Sequence, residues 1–307
     1  SNWLLDRIYP PRGAQAGDNI RRANQIRPWL FLGPAILFLT TYLVYPVLDS
    51  FWRSLFNSNG SQFVGLDNYV WLVNDGKFRE SMLNNMAWLL VVPALSTLFG
   101  LLAAQLTDRL KWGNIGKSLI FMPMAISFVG AGVIWKFIYE YRAPGEEQIG
   151  LLNAIVQALG GDPQLWLTLI PWNNFFLMIV LVWIQTGFAM VILSAALRGI
   201  PEETIEAAIL DGASPLQVFF KIKVPQIMGT IAVVWTTITI VVLKVFDIVF
   251  VMTNGQWGTQ VLANLMYDWM FRGTPDYGRG SAIAIILMLL VTPIMIWNIV
   301  NARREVR

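Results

Sequence analysis

Residues able to carry out chemistry on a substrate are scarce in this sequence. It contains no cysteine and no histidine, which excludes thiol nucleophiles, Ser-His-Asp triads and the commonest zinc sites. The stretch from Gly113 to Ser118 is similar to the end of a phosphate-binding loop, but Lys111 stands where that pattern requires its first glycine. We therefore predict no catalytic residue, no metal site and no cofactor bound by this chain.

The densest set of structural signals lies in 198–227. Pro201 and the two glutamates after it predict a helix start, and an Asp-Gly step ending at Gly212 predicts its end. Ser214 and the proline after it predict the start of a second helix, which Pro225 is expected to end. The segment is therefore predicted to form a helix-turn-helix.

Both predicted helices are amphipathic. An exposed, capped, amphipathic element is typical of a docking surface, and the alternative is a helix that lies in the membrane interface. The apolar faces are expected to carry Ile205, Ala208 and Ile209 on the first helix and Leu216, Phe219 and Phe220 on the second, with Glu206, Lys221 and Lys223 left for water or a partner.

The elements that would position this segment are membrane spans. Hydrophobic residues make up 56% of the chain and charged residues 13%, against about 25% charged residues in soluble domains. Six apolar runs approach the roughly 20 residues that a spanning helix requires. We predict an all-α integral membrane protein with about six transmembrane helices. The runs are 29–47, 86–106, 118–138, 175–197, 228–252 and 281–300.

The distribution of lysine and arginine predicts the orientation. Fourteen of these residues lie in the N-terminal tail, the 107–117 loop, the 198–227 loop and the C-terminal tail, against five in the opposite loops. Because basic residues concentrate on the cytoplasmic side, both termini are expected to be cytoplasmic. The net charge of +3 is too small to argue for nucleic-acid binding.

Two charged residues fall inside the fifth predicted span. Lys244 and Asp247 are three residues apart, so in a continuous helix they would share a face and could form an ion pair. A proton relay is the functional alternative. A structural pair that faces the bundle is the favoured interpretation.

The 198–227 segment resembles the EAA loop of permease subunits of binding-protein-dependent ABC importers. That pattern is Glu-Ala-Ala, three residues, Gly, nine residues, Ile, one residue, Leu-Pro, and the chain differs from it only in a valine for the leucine. The segment 244–255 is similar to the sugar-transporting branch of maltose and glycerol-phosphate type permeases, although that branch often has Gly-Gly-Pro where this chain has Gly-Gln-Trp. The matching residues are Glu206, Ala207, Ala208, Gly212, Ile222, Val224 and Pro225.

The resemblance implies a type I ABC importer permease fold in a bacterial or archaeal inner membrane. It also implies a complex with a second permease, two ATPase subunits that bind ATP and Mg, and an external solute-binding protein. The expected organisation is a tail over 1–28, a permease domain over 29–302 that includes the coupling loop, and a tail over 303–307. The residues expected to couple to the ATPase are Glu206, Ala207, Ala208, Asp211, Gly212, Ala213, Phe219, Ile222 and Pro225.

The same resemblance places the solute near mid-membrane, on the spans that flank the loop. Aromatic faces and amide or hydroxyl groups suit a sugar, glycoside or polyol, although ordinary packing between helices is the more common reason for each such residue taken alone. The alternative function is a self-sufficient ion-coupled carrier, but no internal repeat of the kind expected for one is visible. The expected solute-path residues are Trp183, Gln185, Trp235, Thr239 and Asn264.

Overall fold

The computed structural model describes residues 5, 7–9, 16–108, 110, 112–143 and 145–305, without the side chains of 298, 299 and 301–305. Most of the N-terminal tail before residue 16, Arg109, Lys111 and the last two residues therefore lie outside the described residues, together with the part of the charge argument that rests on them. The described residues are almost entirely helical, as predicted. The helices are α1 (Ala16–Ser54), α2 (Asp67–Asn74), α3 (Gly76–Thr107), α4 (Gly113–Ala125), α5 (Phe128–Ile138), α6 (Leu151–Ala158), α7 (Asn173–Arg198), α8 (Glu202–Leu210), α9 (Pro215–Gln226), α10 (Met228–Leu243), α11 (Asp247–Met252), α12 (Leu262–Phe271) and α13 (Tyr277–Glu305).

Four helices are long and apolar enough to cross a membrane unbroken, namely α1, α3, α7 and α13. Two bent pairs raise the number to six if each pair is one span: α4 with α5, bent by 107°, and α9 with α10, bent by 70°. The prediction of about six spans is confirmed in this sense.

The third and fifth predicted spans are not continuous helices. The third breaks at Ile126, where the backbone becomes extended, and Ser127 caps the next helix by accepting a hydrogen bond from Gly130 N at 3.0 Å. The fifth ends at Leu243, and a new helix begins only at Asp247. Apolar composition alone could not reveal either break.

The first span is longer than its apolar run. It begins at Ala16 and ends at Ser54, with Pro28 and Pro34 inside it and a π-helical turn over Thr40–Val44 just before Pro46. A π turn is a common response to a proline, whose missing N–H cannot join the regular ladder. The most apolar stretch of α1 is not buried by any other described residue, so lipid or a partner subunit is suited to cover it.

The centre of the bundle is α7, which packs along α3. The two helices approach so closely that a Cβ on Gly100 would lie 2.4 Å from Ala189 Cβ. On another face of α7, a Cβ on Gly187 would lie 2.6 Å from the Ile120 carbonyl oxygen of α4. Because α7 continues almost directly into α8, these close contacts hold the helix that carries the segment 198–227.

Candidate functional site

The segment 198–227, called here the coupling segment, folds as the predicted helix-turn-helix. Helix α8 starts after Pro201 and ends in a Schellman turn, with Gly212 N donating to Ile209 O and Ala213 N donating to Ala208 O, both at 3.0 Å. Gly212 has a φ of +82°, which costs glycine nothing and disfavours any residue with a Cβ. The three residues between Glu-Ala-Ala and Gly212 therefore set the position of the turn that ends α8.

The second helix of the coupling segment begins with a capping box. Ser214 Oγ accepts from Gln217 N, and Gln217 Oε1 accepts from Ser214 N at 2.8 Å. The expectation that Pro225 ends this helix is wrong by one residue, because the helix continues to Gln226. A π-helical stretch over Val218–Lys223 precedes the proline and accommodates its missing donor.

The coupling segment exposes four large apolar side chains, of which Leu216 and Phe220 also line a groove against α3. Leu210 is 87% exposed and Leu216 is 71% exposed, and Ile209 and Phe220 are exposed as well. The exposure of Ile209, Leu216 and Phe220 agrees with the expected docking surface. Exposed leucine and phenylalanine beside a rigid turn are suited to docking against another protein.

Phe219 has a different position from the other aromatic of this segment. It is buried and packs against the central hydrophobic core, so it anchors α9 to the bundle. With Leu216 it lines a groove of about 250 Å³ against Leu102 and Leu106 of α3. Phe219, which we expected to contact an ATPase, is placed to fix the segment to the spans.

The remaining residues expected to couple to the ATPase lie together on the coupling segment. The coupling roles of these residues stay predictions. Glu206, Ala207, Asp211, Gly212 and Pro225 are exposed, while Ala208, Ala213 and Ile222 are half-buried.

A polar cluster that sequence reasoning missed joins three spans beside the coupling segment. The Lys117 ammonium of α4 contacts the Asp108 carboxylate, which directly follows α3, and donates to Ser194 Oγ of α7 at 2.7 Å. Ser194 Oγ in turn donates to Asp108 Oδ1 at 3.2 Å. Asp108 is separated from Ser194 by 86 residues, so no local pattern could have indicated this contact.

The expected ion pair between Lys244 and Asp247 does not form in the part of the chain that the structure describes. Lys244 is the residue after α10 and Asp247 is the first residue of α11, so the helix that would align them is interrupted. A charge at the centre of a bilayer costs about 2.5–3.5 kcal/mol on insertion scales. The dipole of α10 favours Lys244 at its C-terminus by only about 0.3–1 kcal/mol, which is smaller than that cost.

Both charged groups line a cavity at the helix break, called here the break cavity. Its volume is about 360 Å³, and it lies against Leu181 of α7 and Phe128, the first residue of α5. The two interrupted spans thus meet one cavity, which is the arrangement that membrane transporters use for solute sites. Val241, Val245, Phe246 and Ile248 complete the lining.

The structure does not bring the five expected solute-path residues together. Trp235 and Thr239 share a second cavity of about 360 Å³ with Trp297 of α13, although the Thr239 hydroxyl already donates to Trp235 O at 2.8 Å. Trp183 packs edge-on against Trp135, with ring centroids 5.7 Å apart. Their role as solute contacts stays a prediction.

Neither Gln185 nor Asn264 is among the residues that line the break cavity. Gln185 is buried on α7, one helical turn from the cavity residue Leu181. Asn264 lies on α12, a helix that sequence reasoning missed, and donates to Gln260 Oε1 at 2.6 Å while fully buried. Asn84 donates to the carbonyls of Gly258 at 2.9 Å and Gln260 at 2.8 Å in the same network. Asn264 therefore helps to hold a loop at the end of the bundle opposite the coupling segment.

Comparison with known proteins places these features in a family. Residues 96–306 match the family described as binding-protein-dependent transport system inner membrane component. The chain is 72% identical to the alpha-glucoside transport system permease protein AglF of Rhizobium meliloti (strain 1021), over 99% of this chain and 92% of that protein. It is 52% identical to the osmoprotective compounds uptake permease protein GgtC of Synechocystis sp. (strain ATCC 27184 / PCC 6803 / Kazusa), over 88% and 96%.

The fold has a solved counterpart. A chain in the crystal structure of a bacterial ABC transporter involved in the import of the acidic polysaccharide alginate superposes with a TM-score of 0.78 at 20% identity, over 94% of this chain and 100% of that one. This likeness concerns the fold and confirms the type I importer architecture. The family match and the whole-chain identity confirm the role expected from the EAA pattern: the chain belongs to the binding-protein-dependent transport system inner membrane components, as a permease subunit and not as an enzyme.

Proposed function

We propose that this permease subunit carries α-glucosides into the cell as half of the solute path of an ATP-driven importer. The observation that carries the proposal is the 72% identity with an alpha-glucoside permease over almost the whole chain. Relatives named for lactose transport, at 29% identity, and for trehalose and maltose transport, at 31%, support the wider class of sugars and glycosides.

The proposed complex contains a second permease, two ATPase subunits and an external solute-binding protein. The exposed apolar residues of the coupling segment support ATPase docking, because no other part of the described chain covers them. The uncovered apolar surface of α1 supports a partner within the membrane. ATP and Mg bind to the ATPase subunits in this proposal, and this chain binds neither.

The proposed orientation has both termini and the coupling segment in the cytoplasm of a bacterial or archaeal-type cell. Lysine and arginine flank the coupling side of the spans, as the positive-inside rule requires. Helices α3 and α7 run in the same sense, since the far ends of both meet the loop held by Asn84. Their other ends, at Asp108 and Ser194, meet beside the coupling segment.

Reconstitution tests the proposal. The complex is purified with this chain in place, incorporated into liposomes, and supplied with its binding protein and radiolabelled maltose. We expect accumulation that requires ATP and is indifferent to sodium and proton gradients. Accumulation driven by an ion gradient without ATP would establish the carrier alternative, and uptake of a different solute alone would refute the α-glucoside assignment.

A further inference from the structure

The break cavity contains two charged groups that no protein group neutralises among the described residues. Lys244 and Asp247 both line it, neither has an ion pair or a side-chain hydrogen bond in that part of the chain, and the other lining residues are apolar. Asp247 is half-buried and Lys244 is exposed to the cavity side of the chain. Charged residues within membrane spans usually mark a solute or ion path.

We propose that Lys244 and Asp247 recognise the hydroxyl groups of a neutral polyhydroxylated solute in the break cavity. This inference rests on the proposed function, because it takes the solute to cross this chain. An ammonium group only donates hydrogen bonds and a carboxylate only accepts them, whereas a sugar hydroxyl does both. A lysine and an aspartate on either side of one helix break can therefore satisfy neighbouring hydroxyls of one ring.

The charge and size of the cavity narrow the class of solute. One positive and one negative group give the lining no net charge, which suits a neutral glycoside better than an acidic sugar or a free cation. The volume of about 360 Å³ lies within the usual range for small-molecule sites. Phe128 and Phe246 supply aromatic surface for the apolar face of a pyranose ring.

The break in the fifth span explains why this site requires an interrupted helix. In a continuous helix Lys244 and Asp247 would face each other and neutralise one another. The three residues from Lys244 to Phe246 leave the helical path, with Phe246 at φ −141° and ψ −60°. The interruption keeps the two groups available to a third partner.

The first experiment measures maltose uptake by the complete reconstituted importer with Lys244→Met or Asp247→Asn. We expect uptake to fall at least tenfold in each variant, while the ATPase activity elicited by maltose-loaded binding protein stays within twofold of wild type. Lys136→Met is the matched control, because Lys136 is an exposed lysine on α5 outside the break cavity, and it should keep uptake within twofold. Wild-type uptake by both cavity variants would overturn the proposal.

A charge exchange separates recognition from a structural ion pair. The double variant Lys244→Asp with Asp247→Lys keeps one charge of each sign but moves each group to the other side of the break. Recognition predicts that uptake stays below one fifth of wild type. Recovery to half of wild type or more would show a structural pair and overturn the proposal.

Deoxy analogues of maltose supply a readout that misfolding cannot imitate. In competition against radiolabelled maltose, we expect at least one analogue that lacks a single hydroxyl to compete tenfold less well with the wild-type importer. In Asp247→Asn or Lys244→Met this discrimination should shrink below threefold, and its persistence in both would contradict the assignment. If the wild type carries no maltose, the proposed function fails, and the same variants are measured with the solute that the binding protein delivers.

Discussion

The turn of the coupling segment can be perturbed through one backbone position. Gly212 has a φ of +82°, and no atom lies within 4 Å of the place where a Cβ would stand. Replacement by alanine or aspartate therefore causes no clash. The cost is backbone strain, about 1–2 kcal/mol for a residue with a Cβ in the left-handed region.

That strain acts only where the turn must keep its shape. If the docked ATPase requires the Schellman turn while the free segment can relax, the whole strain energy is subtracted from the free energy of ATPase docking. A loss of about 1–2 kcal/mol corresponds to about 5- to 30-fold in affinity. Aspartate tolerates the left-handed region better than alanine, but it adds an unfavourable charge at the helix C-terminus worth about 0.3–1 kcal/mol, so the two variants should lose similar affinity for the ATPase.

The assay is titration of ATPase subunit onto the reconstituted permease pair, with maltose uptake and ATP hydrolysis measured together. Gly212→Asn should lose less than alanine, because asparagine tolerates left-handed geometry. Gly160→Ala is a matched control: Gly160 has a φ of +80° and equally open surroundings, but lies outside the coupling segment, after α6. Equal ATPase affinity in Gly212→Ala, Gly212→Asp and wild type would refute the reasoning.

Three further predictions concern the bundle and its docking surface. Asp108→Ala should lower the thermal unfolding temperature in detergent, because it leaves the half-buried Lys117 ammonium without its carboxylate. The exchange Asp108→Lys with Lys117→Asp should recover part of the lost unfolding temperature. An unchanged unfolding temperature in Asp108→Ala would contradict the polar cluster. Leu210→Ser should lower the amount of co-purifying ATPase several-fold. The unfolding temperature should not change, because the Leu210 side chain is 87% exposed. Unchanged co-purification would show that Leu210 is not part of the docking surface. Gly100→Ala should prevent stable folding, as judged by the loss of a monodisperse peak in size-exclusion chromatography. Gly33→Ala should be neutral, because the surroundings of Gly33 are open. A stable Gly100→Ala variant would contradict the close contact between α3 and α7.

Local signals were sufficient for the coupling segment. Gly212 and the Ser214 capping box act over a few residues, so the sequence predicted their turn and their helix start correctly. The burial of Phe219 beside the exposed Leu216 could not be predicted, because an apolar residue that docks a partner has the same pattern as one that packs inside the chain.

Long-range contacts account for most of what sequence reasoning missed. Asp108, Lys117 and Ser194 come from three different helices and meet only in the folded bundle. Asn264 fits an aromatic and amide pattern for sugar binding, but its amide is already engaged by Gln260 in a buried network. Hydrogen-bond partners of this kind become visible only when the packing is known.

The helix break at Lys244 is the most consequential difference. The run 228–252 is apolar enough to predict one continuous span. A lysine with an aspartate three residues later predicts an ion pair on one face of that helix. The structure ends the helix at Leu243 and opens a cavity there. The sequence shows the charge of Lys244, but it does not show that the helix break separates Lys244 from Asp247.

The most direct test of the central claim is ATP-dependent uptake of radiolabelled maltose by liposomes that contain this chain with its second permease and ATPase subunits. With loaded binding protein outside and ATP inside, we predict accumulation above the external concentration, lost when this chain is omitted or ATP is replaced by a non-hydrolysable analogue. Accumulation that persists without ATP, or that does not need this chain, would contradict the account.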